Sequence, residues 1–165
     1  MTERQQFSTF LVDGFLFGIE VEKVHEVASG AEITPVPLAP SMVRGLINLR
    51  GQIVTAIDLR ECLQRGQRSA DNPPIHLIVY TDDGFASLLV DQVDDVMEID
   101  EDTFEPPPET LHGRFRELIR GTYKLAGRLL LVLDAEAVMN GISVAIPGQS
   151  DGVYEGVASG SPLQS

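Results

Sequence analysis

Apolar and polar positions alternate in short runs through most of the chain, and the runs come in pairs. Residues 7–21, "FSTFLVDGFLFGIEV", form two strand-like stretches parted by Asp13-Gly14, and residues 75–90, "IHLIVYTDDGFASLLV", form two more parted by "DDG". Strand-type residues broken by Asp and Gly signal a hairpin. Residues 43–60, "VRGLINLRGQIVTAIDLR", repeat the form around Arg50-Gly51, and "LLLVL" near residue 130 is a short apolar run of buried-strand type. Pro35, Pro37 and Pro40, and later Pro106 to Pro108, deny regular structure to two connecting segments. "DLRECLQR" and "DAEAVMN" predict short helices with Asp58 and Asp134 as N-caps. Many short strands at this spacing predict a mostly β fold built from small barrels rather than a sandwich.

The pattern also repeats. Sliding the chain by 76 places lays residues 43–62 over residues 119–138, and five of twenty positions coincide: Arg44 with Arg120, Gly45 with Gly121, Leu49 with Leu125, Gly51 with Gly127, and Asp58 with Asp134. The apolar pairs Ile53/Leu129, Val54/Leu130 and Ile57/Leu133 fall in step with them. A slide of 69 places lays "IEVEKVHEV" over "LLVDQVDDV" and matches Val21/Val90, Val24/Val93 and Val27/Val96. The chain is therefore read as a duplication, with units at about 7–62 and 76–139. The polar "GQRSADNPP" between them is expected to be a surface linker. Residues 147–165, rich in Gly and Ser with little apolar content, are expected to be disordered.

Composition narrows the class. Hydrophobic content of 43% and charged content of 22% suit a folded domain. No apolar run approaches the roughly 20 residues that cross a bilayer, and "MTERQQFSTF" has no signal-peptide core, so a cytoplasmic location is expected. Cys62, the single cysteine, fits a reducing compartment. A net charge of −13 argues against a nucleic-acid surface. The charge is uneven: residues 41–68 carry five Arg against Asp58 and Glu61, and residues 112–128 carry five Lys or Arg against Glu117. These two basic islands are the two copies of the repeat.

Catalytic chemistry is sparse. The chain has neither a Walker loop nor a G-x-G-x-x-G motif. Cys62 reads as a small buried hydrophobe on a short helix, and the spacing of His25, His76 and His112 predicts no metal site. Residues 91–105 hold eight carboxylates, but Val93 and Val96 stand where a calcium loop needs an oxygen ligand and glycine. The interleaved Val90, Val93, Val96 and Ile99 predict a structured segment with a solvated acidic face. No catalytic residue, metal or cofactor is assigned, and a binding role is expected.

Arg50 is the odd residue of the repeat, since its counterpart is Ala126 beside the retained Gly127. The turn is thus expected to need Gly and not Arg. Arg50 is then either a turn cation, solvated or paired with an acidic neighbour, or a contact for a partner, a role that the planar guanidinium suits.

"FGIEVEKVHEV", "ITPVPLAPSMVRGLINLRGQIVTAIDLR", "LLVDQVDDVMEI" and "GRLLLVLDAEAV" occur in that order over residues 6–140, and together they resemble the CheW family, the coupling adaptors of bacterial chemotaxis. The resemblance implies two packed five-stranded SH3/OB-like barrels with strands exchanged between lobes, so that the repeat units cross the lobes. It implies a non-catalytic adaptor in signal transduction that bridges the cytoplasmic tips of chemoreceptors (methyl-accepting chemotaxis proteins) and the regulatory domain of the histidine kinase CheA. A scaffold of a chemotaxis-like pathway with a non-flagellar output is the alternative. Carried over by position, the resemblance places Val21, Val24, Val27, Val93 and Arg50 at a receptor-binding groove and Glu26 on the kinase-facing side. Without it, those valines read simply as core residues. Thr55 departs from the family in replacing a proline often found there.

Overall fold

Asp13 and Gly14 both take positive φ, 51° and 81°, and fold the first apolar run back on itself. The strands so joined are β1 (Arg4–Val12) and β2 (Phe15–Glu20), antiparallel with Val12 opposite Phe15. A 3-10 turn at Val21–Lys23 leads into β3 (Val24–Ser29), and the second Gly-containing hairpin joins β4 (Val43–Leu49) to β5 (Gln52–Asp58) before the short helix α1 (Leu59–Cys62). The second unit repeats the strand order, with its 3-10 turn after the third strand and an added helix: β6 (Ile75–Thr81), β7 (Gly84–Val90), β8 (Gln92–Asp100), the 3-10 turn, α2 (Gly113–Glu117), β9 (Ile119–Leu125), β10 (Arg128–Leu133) and α3 (Ala135–Ala145). The structure, a computed structural model, describes residues 3–66 and 71–145. The expected disordered tail and the centre of the expected linker lie outside the described residues.

The strands form two five-stranded sheets, ordered β8-β1-β2-β10-β9 (lobe A) and β3-β6-β7-β5-β4 (lobe B). Substituting each strand by its repeat partner converts one order into the other. The register agrees as well. In the parallel pairs, Leu131 lies opposite Phe17 in lobe A and Thr55 opposite Ala86 in lobe B, pairs related by the same offsets of 76 and 69. Each lobe takes its first hairpin from one unit and its remaining three strands from the other. The exchange of strands is therefore present, and the repeat units do cross the lobes.

Each sheet closes on itself at a seam. Thr34, beyond β3, exchanges two 2.8 Å backbone hydrogen bonds with Leu46 of β4, and Glu105, beyond β8, exchanges bonds of 2.9 and 2.8 Å with Thr122 of β9. The repeated Gly45 and Gly121 stand beside these crossings. A Cβ at Gly45 would overlap the Thr34 carbonyl, and one at Gly121 would overlap the Phe104 ring and lie 2.6 Å from the Glu105 carbonyl oxygen. The repeat keeps these glycines because the closing segment passes where a side chain would be.

Strand alternation then sorts the apolar residues into three cores. Phe7, Leu16, Ile99, Tyr123, Leu130 and Val132 fill lobe A, and Ile47, Val54, Ala56, Ile78 and Leu89 fill lobe B. The opposite faces of both sheets meet in a larger shared core that includes Phe10, Phe17, Ile57, Leu77, Leu88 and Leu131. Phe115 of α2 and Val138 and Ile142 of α3 pack on it. Two expectations change in detail. Ile53 and Leu129, a matched apolar pair, are each 37% exposed, and α3 runs on past the predicted Asn140. Sequence periodicity gave no signal for the five-residue α2.

The recurring Asp58 and Asp134 both cap helices, as predicted. Asp58 accepts from the Arg60 amide at 3.0 Å, and Asp134 from the Ala137 amide at 3.0 Å. Asp58 is fully buried and also accepts from Arg44 Nε at 3.0 Å, whereas Arg120 pairs with Glu20 at 3.3 Å. The same ion chemistry ties the lobes together. Arg60 of α1 grips Asp91 at 3.1 and 2.8 Å, Asp91 accepts from the Asp13 amide at 2.7 Å, and Arg65 holds the Asp13 carboxylate at 2.8 Å.

Candidate protein-interaction site

The β4–β5 turn consists of Arg50 and Gly51, with φ of 51° and 86°. Two successive positive φ values make this the tight hairpin that matches the right-handed twist of the strands, and Asn48 Oδ1 supports it by accepting from the Gly51 amide at 2.7 Å. In the β9–β10 turn Gly127 has φ of 83° but Ala126 is not left-handed, so the two turns differ in type. A side chain at Arg50 is held there against the preference of L-residues for negative φ.

That side chain crosses the seam of lobe B. Its guanidinium makes two parallel hydrogen bonds to Glu26 of β3, Nη1 to Oε1 at 2.6 Å and Nη2 to Oε2 at 2.9 Å. The Arg50 hydrogen bonds, aided by its charge, hold Glu26 below the usual carboxylate range. Glu26 is mostly covered at 20% exposure, while Arg50 stays 70% exposed. The resemblance assigned these two residues to different partners, and the fold makes them one unit. Lobe A has a looser pair across its own seam, Arg128 to Asp94 at 3.9 Å. A cross-seam cation therefore does recur, two positions on from Ala126, and the acidic-neighbour role for Arg50 is realised.

An aromatic cluster adjoins Glu26 through His25, whose Nε2 lies 3.5 Å from Glu26 Oε1. His25 Nδ1 lies 2.9 Å from the Tyr80 hydroxyl, its ring centroid is 4.7 Å from that of Phe85, and Tyr80 and Phe85 are 4.9 Å apart. Tyr80 is 45% exposed. The sequence reading missed Tyr80 and Phe85, although their opposition across the "DDG" hairpin was legible in its register.

The valines divide by position. Val24 on β3 and Val93 on β8 are half-buried, and each packs against the shared core from its own lobe. Val27, opposite Leu77 of that core, is 48% exposed. Val21 lies in the 3-10 turn, half-buried. Val24, Val27, Glu26 and Arg50 thus share the β3 edge of lobe B, and Val93 stands on the repeat-equivalent edge of lobe A. Val96, the partner of Val27 in the repeat, is 58% exposed. These edges present apolar side chains flanked by charge.

Cys62 and His76 lie elsewhere. Cys62 is buried, and burial pushes its thiol up to about 12, which leaves it unreactive. His76 is buried and within 2.9 Å of Ser87 Oγ, with its pKa lowered by burial. Among the described residues no three His, Cys, Asp or Glu side chains converge as a metal site, and no helix is long and apolar enough to cross a membrane. The acidic run folds as β8 and the turn after it, with Arg4 on Glu98 and Asp100 at 3.2 and 3.0 Å.

Comparison with known proteins gives a consistent result. The sequence pattern of the CheW-like domain matches residues 6–143. Chemotaxis protein CheW of Bacillus subtilis is 31% identical over 149 residues, which span 88% of this chain and 95% of that protein. Its namesake in Klebsiella aerogenes is 28% identical over 145 residues, spanning 88% and 87%. The crystal structure of scaffolding protein TtCheW from Thermoanaerobacter tengcongensis agrees with a TM-score of 0.74 at 30% identity, over 81% of this chain and 91% of that one.

Proposed function

The chain belongs to the CheW-like domain family, a family of chemotaxis scaffolds, and from that premise we propose that it couples chemoreceptors to the kinase CheA without a chemical step of its own. The observation that carries the proposal is the β3 edge of lobe B, where Val24 and the exposed Val27 lie along one strand beside the Arg50–Glu26 clamp. A chemoreceptor tip is a helical hairpin. Helices bind by laying apolar side chains into an apolar trough, and Val21, Val24, Val27 and Val93 supply such side chains. Arg50, still largely exposed after pairing with Glu26, would orient an acidic group at the margin, and Glu26 would face the kinase's regulatory domain. That role places the chain in the cytoplasm, held near the membrane through its receptors.

The test is a ternary pull-down of a receptor cytoplasmic fragment and the CheA regulatory domain, run with wild type, Arg50→Ala and Arg50→Gly. Glycine accepts the left-handed turn, so Arg50→Gly removes the guanidinium without retaining backbone strain. Wild type is expected to bridge the two partners, and both variants to lose coupling while circular dichroism reports an intact fold. Failure of wild type to bind either partner would refute the proposal.

A further inference from the structure

Strand alternation would part the side chains of His25 and Glu26, yet they meet. The register of β3 against β6 slips between Val24, opposite Val79, and Glu26, opposite Ile78, so His25 is the extra residue of a bulge. Its Nδ1 is 2.9 Å from the Tyr80 hydroxyl of β6, its Nε2 is 3.5 Å from Glu26 Oε1, and the Phe85 ring of β7 lies against it at 4.7 Å. Arg50 reaches the same Oε1 from the β4–β5 turn, at 2.6 Å. Tyr80 and Phe85 thus face the imidazole from the neighbouring strands, Glu26 from its own strand, and Arg50 from beyond Glu26. The repeat shows that this arrangement is particular to lobe B. The bulge recurs in β8 between Val93 and Val96, but there the equivalents of His25 and Tyr80 are Asp94 and Leu11.

A carboxylate only accepts, so the hydrogen of the neutral ring is assigned to Nε2, and Nδ1 accepts from the Tyr80 hydroxyl. In that form the imidazole donates over a long 3.5 Å to an oxygen that Arg50 already holds. The charges of Arg50 and Glu26 then cancel. A second ring proton changes this balance in two ways. The imidazolium competes with Arg50 for Oε1, and the cluster gains one positive charge. Imidazole is the side chain whose ordinary titration falls in the physiological range. The site is open to solvent and to a partner, with the His25 side chain 33% exposed and that of Arg50 70% exposed.

We propose, building on the coupling role above, that His25 is a positioning residue for the Arg50–Glu26 clamp, and that its protonation tightens the hold of the β3 edge on an acidic group of the receptor. Neutral His25 leaves the guanidinium paired with Glu26. Protonated His25 draws Glu26 Oε1 toward Nε2, frees part of the guanidinium and adds its own charge beside it. Both effects favour a carboxylate on the partner, so they reinforce each other. At an exposed site an added charge of this kind is worth a few-fold in affinity.

The test is a titration of the full chain between about pH 7.5 and 5.5, wild type against His25→Gln, with two readouts. In the free protein, the NMR signals of the Glu26 carboxyl and the Arg50 guanidinium are expected to step at the midpoint of the His25 ring, although neither group titrates in that range. The steps should be absent in His25→Gln, where His76 still titrates. By calorimetry with a receptor cytoplasmic fragment, affinity is expected to rise about three- to fivefold more across this range for wild type than for His25→Gln. That comparison cancels the receptor's own titration. Arg50 signals that stay flat through the His25 titration, or equal pH slopes for the two proteins, would overturn the proposal. A fragment that binds neither protein at any pH would instead refute the coupling role, and the free-protein titration would still decide whether His25 acts on the clamp.

Discussion

In lobe B the barrel is filled by Ile47, Val54, Ala56, Ile78 and Leu89 and its seam is clamped by Arg50 on Glu26; in lobe A the interior carries Phe7 and Tyr123, and Arg128 reaches Asp94 only at 3.9 Å. The two lobes share strand order, parallel register and the crossing at each seam. Backbone closure is thus common to both, while the side chains at the seam and inside the barrel have diverged. The shared features need glycine, because the crossing leaves no space for a Cβ. The divergent features are set by side chains that the backbone tolerates in either copy, and there the lobes have acquired separate surfaces.

Substitutions at the seam test the shared part and should have the largest effects. Gly45→Ala is expected to cost about 3–5 kcal/mol in urea unfolding, because it combines overlap with the Thr34 carbonyl and a φ of 150°. Gly121→Ala should cost about 2 kcal/mol, since it clashes with Phe104 and Glu105 but carries no positive-φ strain. Equal costs would mean that the seams are more alike than their backbone conformations indicate.

The capping aspartates come next. Asp58→Ala removes a cap and the charge-assisted bond from Arg44, for about 2–3 kcal/mol, whereas Asp134→Ala removes a cap alone, for about 1 kcal/mol. Denaturation curves of the two variants measure the difference directly.

The next contrast concerns titration. Lobe B buries His76 where lobe A has Phe7, and burial lowers its pKa. The folded state therefore resists a proton that the unfolded chain accepts. Stability is full above the unfolded value near 6.5 and falls as pH drops toward the lowered folded value, by at most about 1.4 kcal/mol per unit. In His76→Gln that part of the pH dependence should vanish from unfolding curves taken between pH 7.5 and 5.

The smallest stability effects belong to the exposed valines. Val27→Ser and Val96→Ser should each shift stability by no more than about 0.5 kcal/mol. Their effects on receptor binding should differ, because Val27 sits beside the Arg50 clamp and Val96 beside the carboxylates Asp94 and Asp95. Calorimetry with a receptor fragment should show weaker binding for Val27→Ser alone.

Much of this was legible in the sequence, for physical reasons. Hairpin signals such as Asp13-Gly14 and Arg50-Gly51 act locally, and the recurrence of Gly45 with Gly121 and of Asp58 with Asp134 exposed the duplication. The exchange of strands followed from the family resemblance and not from periodicity, since pairing between distant segments leaves no local trace. The Arg50–Glu26 clamp was not legible, because it depends on barrel closure bringing β3 alongside the β4–β5 turn. The Arg60–Asp91–Asp13 network escaped for the same reason, and the packing of Phe104 on lobe A depends on its segment crossing over Gly121. The acidic run shows in the sequence only as a structured segment with a solvated acidic face. Its apolar residues Val90, Val93, Val96 and Ile99 recur every third position, which is not strand alternation, so its fold as β8 and a following turn was not legible.

The central claim is that the β3 edge of lobe B, with Val93 across the shared core, receives a receptor helix. The most direct measurement is a titration of isotope-labelled protein with a receptor-tip helical hairpin, read amide by amide. The largest shifts should fall at Val24, Val27, Arg50 and Val93, and should fade for β3 and the β4–β5 turn in Arg50→Gly. Shifts concentrated elsewhere, with those four amides unmoved, would contradict the account.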